Sequence, residues 1–227
     1  MKTLLIIFAK EPLPGQVKSR LGARLGPVAA ARLYDAFLQD ILEEMGRLSG
    51  LALALAYSPA GARSFFQRLL PGALLFPQDG PDLGARMSRA FECGFTAGFD
   101  AVLLRGSDTP DLPGQVLLEA QAVLAAGKAD LVLGPARDGG YYLMGLKSPE
   151  PRLFEGPAWS TAGVLTATLK LAARLALTAH LLPCWQDIDT MEDLLAFRRR
   201  GRPAPAPGWR SQRLAEELLA PKVIAAR

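Results

Sequence analysis

Four short segments of this chain concentrate the side chains that could do chemistry. Residues 10–21 read Lys10-Glu11-Pro12-Leu13-Pro14-Gly15-Gln16-Val17-Lys18-Ser19-Arg20-Leu21, where prolines and a glycine shape a turn and three cations follow on a short path. Lys10, Lys18 and Arg20 could neutralise a polyphosphate while backbone N–H groups near Gly15 approach it closely. A solvated loop with incidental lysines is the other reading, and residue types alone do not divide the two. Residues 103–113 run from leucines into Arg105-Gly106-Ser107-Asp108-Thr109-Pro110-Asp111. Asp108 could give carboxylate oxygens to a hard divalent cation such as Mg²⁺, whereas Asp111, ahead of Leu112-Pro113, fits a turn or helix start. Residues 134–142 carry Asp138-Gly139-Gly140, an ordinary hairpin signal whose double glycine also lets backbone pass close to a ligand. In residues 187–194, Asp187 and Asp189 lie two apart at the end of an extended run, so alternation projects both carboxylates to one face as a second half of a metal site. Thr190 can cap the next helix, and Glu192 and Asp193 suit that helix's dipole.

Other chemistries are excluded or weakened. The chain has 227 residues, one histidine and two cysteines. Cys93 and Cys184 can form no disulfide framework and lack zinc-site spacing. His180 alone cannot serve a mechanism needing two imidazoles, and it sits in an apolar stretch. No GxxxxGK[ST] and no GxGxxG occurs, which weakens kinase-like and dinucleotide readings. Lys and Arg number 26 against 22 Asp and Glu, a net charge of +4. The run Arg198-Arg199-Arg200-Gly201-Arg202 follows a helical pattern and reads as a cap on that helix's negative end in solvent, not as a nucleic-acid stripe. Residues 1–9 have too short an apolar core for a signal peptide, and no run reaches membrane-span length. The default expectation is a cytoplasmic monomer or homodimer with no nucleic-acid or membrane partner.

The elements that must position these segments alternate short Leu/Ile/Val runs with helical stretches, the pattern of an α/β fold with crossover helices. Strands are predicted at 3–9, 51–57, 73–76, 101–104, 131–134, 141–146 and 181–184, mostly buried because helices cover both faces. Leu33, Phe37, Ile41, Met45 and Leu48 recur at helical spacing, as do Leu83, Met87, Phe91 and Phe95, and both stripes are expected to face the core. Gly98 and Gly127 punctuate helix ends, and Pro27 and Pro113 suit first helical turns. The Gly/Pro/Ala-rich residues 201–208 read as an extended linker, followed by a helix over about 211–220 that packs on the body or reaches a partner. In open parallel sheets ligands lie beyond the carboxyl ends of the strands, where all four segments fall.

Taken together, these segments resemble the bacterial glycosyltransferase-like proteins related to the nucleotidyltransferases that guanylylate phospholactate or molybdopterin. Residues 8–21 resemble the family's opening signature. Asp82-Leu83-Gly84-Ala85-Arg86-Met87, Gly106-Ser107-Asp108-Thr109-Pro110-Asp111-Leu112, Gly134-Pro135-Ala136-Arg137-Asp138-Gly139-Gly140-Tyr141-Tyr142-Leu143, Trp159-Ser160-Thr161 and Asp187-Ile188-Asp189-Thr190 agree in order. The resemblance runs from about residue 3 to about residue 200, which makes residues 1–200 one transferase domain and 201–227 a linker and helix. It implies the nucleotide-diphospho-sugar transferase (GT-A) fold, a Rossmann-like α/β/α sandwich with a mostly parallel sheet.

The resemblance also implies roles. Lys10, Pro14, Gly15, Lys18, Arg20, Gly84, Arg86 and Ser107 would bind nucleotide. Asp108, with Asp187 or Asp189, would hold Mg²⁺ or Mn²⁺, and Lys18, Arg20 and Asp108 would be catalytic. Asp138, Gly139, Gly140, Tyr141, Trp159, Ser160 and Thr161 would face a small-molecule acceptor. The activity implied is nucleotidyl transfer from a nucleoside triphosphate to a small phosphorylated or acidic acceptor with loss of pyrophosphate. Sugar transfer from a nucleotide-sugar is the alternative, set back because Gly106-Ser107-Asp108-Thr109-Pro110 lacks an Asp-X-Asp motif, although Ser107 also departs from the Gly-Asp-X-Pro of nucleotidyltransferases. A degenerate nucleotide- or partner-binding domain is the non-enzymatic alternative.

Overall fold

The computed structural model describes residues 1–159, 161–200 and 209–220. Its centre is a seven-stranded sheet of β1 (Thr3–Lys10), β2 (Leu51–Ser58), β3 (Leu74–Pro77), β4 (Ala101–Arg105), β5 (Leu131–Pro135), β6 (Tyr141–Leu146) and β7 (Ala179–Leu181), in the order β3-β2-β1-β4-β6-β5-β7. β1 runs parallel to β2 and β4, β2 to β3 and β5 to β7, while β6 is antiparallel to β4 and β5. The Asp138-Gly139 turn explains that reversal, since a tight hairpin joins only antiparallel strands.

β1 shows why these strands read as continuous apolar runs. Leu5, Ile7 and Ala9 enter one core and Leu4, Ile6 and Phe8 the other. The first core is covered by α1 (Ser19–Leu25), α2 (Pro27–Gly46), α3 (Arg63–Leu69), α5 (Gly114–Ala125), α7 (Met191–Arg200) and α8 (Trp209–Leu219), and the second by α4 (Leu83–Thr96) and α6 (Val164–Arg174). The expected three-layer α/β/α sandwich is the observed fold. Leu33, Phe37, Ile41 and Met45 are fully buried on α2. From β1 the chain builds outward to β2 and β3, then returns to place β4 on the other side of β1. The β1–β4 boundary is thus a topological switch point, with a crevice beyond its carboxyl ends.

Several local expectations are corrected. The last strand is Ala179–Leu181, not 181–184, because it pairs with Leu131–Leu133 of β5 and Pro183 has no N–H to extend the ladder. β3 and β7 are edge strands, so Leu74 and Leu181 are exposed. Leu83 is 39% exposed because it faces a cleft instead of the core. Pro113 caps α5 from outside, whereas Pro27 does open α2. The predicted linker, 201–208, lies outside the described residues. The helix beyond it spans Trp209–Leu219 and packs on the body: buried Asp40 of α2 accepts from the N–H groups of Arg210 and Ser211 and from the Ser211 hydroxyl, capping α8 from a neighbouring helix. Gln212 donates to the carbonyls of Phe197 and Arg198 at the end of α7. No described helix is long and apolar enough to cross a membrane.

Candidate nucleotide and metal site

At the switch point the chain leaves β1 through the turn of residues 11–18 and enters α1. Lys18 makes the junction in the left-handed region, φ 47° and ψ 47°, which is unusual for a residue with a side chain and marks a position held by its surroundings. That backbone turn drives the Lys18 side chain inward to 3% exposure. Its ammonium donates to Asp189 Oδ1 at 2.8 Å and to the Ile188 carbonyl at 2.7 Å, and pairs directly with Asp108 Oδ1. Burial alone would depress its pKa, but Asp108 and Asp189 outweigh burial and hold it above the ordinary lysine value. Asp108 and Asp189, 81 positions apart in the chain, thus share one cation.

Both acidic segments are fixed from below. Arg105, the last residue of β4, is fully buried and folds back under its own loop. It donates to the carbonyls of Gly106 (3.0 Å) and Thr109 (2.7 Å) and to the Thr109 hydroxyl (3.0 Å). Asp111 lies in the turn ahead of α5, as its sequence position suggests, but it is 0% exposed: it accepts from Trp185 Nε1 at 2.9 Å and pairs with Arg200 at 3.3 Å. Arg200, an exposed residue of the last turn of α7 as expected, thus also pairs with a buried carboxylate. The Ile188 N–H donates to the Asp108 carbonyl at 3.0 Å, joining the two segments directly. Thr190 and Asp193 form the reciprocal cap of α7, so Asp193 has a defined bond beyond a dipole effect.

Asp187 faces the same space. Burial, then the charges of Asp108, Asp138 and Asp189, push its pKa up to about 7, and its buried Oδ1 has no hydrogen-bond partner. These are hard oxygen donors with surplus negative charge, the chemistry that suits Mg²⁺ or Mn²⁺. As they stand, no three His, Cys, Asp or Glu side chains among the described residues form a closed metal set, and the Lys18 ammonium takes up the charge. Asp187 has a testable consequence. The folded state keeps a proton that the unfolded chain releases near the ordinary value of 3.8, so without divalent ions stability should fall as pH rises from about 4 to about 7. Thermal unfolding across that window should show this fall, and Asp187→Asn should flatten it.

The cleft above has a volume of about 850 Å³. Of the sequence-predicted residues, Lys10, Lys18, Arg20, Arg86, Ser107, Asp108, Asp138, Gly140, Tyr141, Trp159, Thr161, Asp187 and Asp189 line it. Pro14 and Gly15 sit exposed at the tip of the first loop, outside the lining, and Ser160 lies outside the described residues. Gly84 and Gly139 serve packing. A Cβ on Gly84 would meet Trp159 Nε1 at 2.2 Å, and one on Gly139 (φ 91°) would meet the Ala162 carbonyl oxygen at 2.0 Å. Trp159 also stacks on Phe154.

Three contributors were not singled out from sequence. Tyr34 shares a hydrogen bond with Ser107 Oγ at 2.7 Å and accepts from the Lys10 N–H at 2.9 Å, and burial followed by the Asp108 charge pushes its pKa up to about 12. It lies inside the α2 stripe, where nothing distinguishes it from core. Gln78, one residue beyond β3, donates to the carbonyls of Ala9 and Ala56 and lines the cleft. Arg105 did leave a signal, a lone charge ending an apolar strand.

The family model DUF2064, described as uncharacterized protein conserved in bacteria, matches residues 41–161. A protein from Desulfovibrio desulfuricans G20, provisionally described as a nucleotide-diphospho-sugar transferase, is 37% identical, with TM-score 0.88 over 95% of this chain and 94% of that one. A cytidylyltransferase from Leptospira borgpetersenii serovar Hardjo-bovis (strain JB197) shares the fold at 14% identity and TM-score 0.56, covering 96% and 94% of the two chains. So does a CMP:2-keto-3-deoxy-manno-octonic acid synthetase complexed with CTP, at 12% identity and TM-score 0.53, covering 88% and 98%. No curated protein sequence matches.

Proposed function

The chain belongs to the DUF2064 family, and from that premise we propose that it is a divalent-metal-dependent transferase that passes a nucleotidyl group from a nucleoside triphosphate to a small acceptor and releases pyrophosphate. The observation that carries this reading is the Lys18–Asp108–Asp189 cluster at the β1–β4 switch point, with Lys10 and Arg20 beside it in one cleft. Phosphoryl chemistry needs positive charge where negative charge accumulates, and two carboxylates beside that charge suit a hard cation.

Lys10 and Arg20, exposed at the cleft wall, bind and orient the polyphosphate. Lys18, held on Asp108 and Asp189, supplies fixed positive charge where the α-phosphate reacts. Asp108 with Asp187 and Asp189 would hold the metal, which when bound supplies charge neutralisation and Lewis acidity. A phosphate or carboxylate oxygen of the acceptor, with no proton to lose, forms the new bond to the α-phosphorus as the bond to pyrophosphate breaks, so neither a protein nucleophile nor a general base is needed. The lone histidine, His180, pairs with exposed Glu119 and does not line the cleft.

A second reading, sugar transfer from a nucleotide-sugar, is favoured by the description of the Desulfovibrio relative. Release of pyrophosphate supports the first reading, and release of a nucleoside diphosphate the second. Calorimetry tests both: the wild type should bind a nucleotide in the presence of Mg²⁺, and Asp108→Asn should weaken that binding by about tenfold or more. If neither protein binds any of the common nucleoside triphosphates or nucleotide-sugars, the transferase reading falls and a non-catalytic domain remains.

A further inference from the structure

Beyond Ile7 and Arg105, the last facing pair of β1 and β4, the ladder between these strands ends. Tyr34 of α2 bridges the opening. Its hydroxyl oxygen accepts from the Lys10 N–H at 2.9 Å on the β1 side and lies 2.7 Å from Ser107 Oγ, two residues past β4. Tyr34 is 3% and Ser107 6% exposed, and both line the cleft. Ser107 is also the residue that departs from the Gly-Asp-X-Pro of nucleotidyltransferases.

Hydrogen-bond accounting gives this pair of hydroxyls a direction. A phenol has one proton to donate, and burial holds it on Tyr34 far above neutral pH. The Tyr34 oxygen already accepts from Lys10, and among the described residues Ser107 Oγ is the one acceptor for its proton. A buried hydroxyl proton without an acceptor is costly, so Tyr34 donates and Ser107 accepts. Ser107 then keeps a proton of its own. Among the described residues no acceptor takes that proton, and the neighbouring Asp108 Oδ1 is paired with Lys18.

We propose that Tyr34 is a positioning residue that holds the Ser107 hydroxyl as a hydrogen-bond donor to a phosphate oxygen of the bound nucleotide. This rests on the nucleotide-binding part of the transferase reading above. The bonds from the Lys10 N–H to Tyr34 and from Tyr34 to Ser107 run in one sense, and each polarises the next. The last proton is therefore a stronger donor than that of a lone serine. A phosphate oxygen suits the end of such a chain. Lys10 and Arg20 draw an oxyanion into the same cleft, and a hydrogen bond to an ionised acceptor is about twice as strong as a neutral one. Tyr34 itself stays behind Ser107 and acts on the nucleotide only through it.

The test is a double-mutant cycle read by calorimetry on the whole protein with Mg²⁺, at a temperature where every variant is folded. The probes are inorganic tripolyphosphate and the tightest-binding of ATP, GTP, CTP and UTP. Ser107→Ala should weaken binding of both probes by about tenfold, the loss expected for a hydrogen bond to a charged group. Tyr34→Phe should weaken it by about threefold or more in the wild-type background and by less than about 1.5-fold in the Ser107→Ala background. Equal losses in the two backgrounds overturn the inference. So does unchanged affinity in Tyr34→Phe with only a lower melting temperature, the mark of a packing residue. Tripolyphosphate carries no nucleoside, so its failure to bind up to about 10 mM, or additive losses with it, also overturns the phosphate contact. If none of the four nucleotides binds the wild type, the transferase reading falls, and the tripolyphosphate cycle alone decides the role of Tyr34 and Ser107.

Discussion

Lys18→Met should lower turnover by about 10²–10³-fold, the scale seen when one preorganised charge-stabilising donor is removed. Methionine keeps most of the stem volume but cannot join Asp108 to Asp189, so two carboxylates that shared a cation now repel across the cleft floor. Removing one partner of a buried ion pair costs about 3–5 kcal/mol, but both carboxylates are 42% exposed and can rehydrate, so a loss of about 1–2 kcal/mol is expected here. Added Mn²⁺ should raise the melting temperature of the variant more than that of the wild type, because the acids have lost their internal cation. In the wild type the Lys18 contribution is complete below the ordinary lysine pKa and is lost only as pH rises through its higher folded value, so it gives no pH dependence near neutrality. Wild-type turnover in Lys18→Met would remove this residue from the mechanism.

Arg105→Met should be the most destabilising single change at the site, by about 3 kcal/mol or more in urea unfolding. The guanidinium is fully buried, and burial pushes its pKa down to about 10, with Asp111 foremost among the charges that oppose the fall. It stays charged at neutral pH. Its loss removes the guanidinium donor from the Gly106 carbonyl, leaves the Thr109 carbonyl with the Leu112 N–H alone, and weakens the positive field around buried Asp111. Arg105→Lys should recover only part of the stability, since one ammonium cannot reproduce a fork that spans both carbonyls. Arg105 is buried and does not line the cleft. Its role in positioning Asp108 is read by Mn²⁺ affinity, which should fall in Arg105→Lys at temperatures where that protein remains folded. Unchanged affinity would leave Arg105 a purely structural residue.

The layers and sheet type were legible because β1, β2, β4 and β6 are short apolar runs separated by helical stretches. The acids were legible because Asp108 and Asp189 follow extended segments. What those residues do to one another was not legible. Nothing in Gly15-Gln16-Val17-Lys18 announces that Lys18 turns through a left-handed backbone and buries its ammonium against carboxylates instead of standing in solvent. Asp111 was legible as a turn residue, but its partners were not, because Trp185 and Arg200 lie more than 70 positions away. Gly84 and Gly139 read as ligand-facing because a glycine that admits an indole or a carbonyl is spelled the same as one that admits a phosphate.

The clasp between Asp40 and the start of α8 ties the far end of the chain to its chemistry. Gln212 holds the closing carbonyls of α7, α7 carries Arg200, Arg200 meets Asp111, and Asp111 lies three residues from Asp108. A protein cut short before Trp209 would keep every cleft residue yet lose the last brace in that relay. Loss of the tail should therefore loosen Arg200 and, through Asp111, the turn that carries Asp108, and a lower melting temperature with weaker Mn²⁺ binding in the shortened protein is the expected reading.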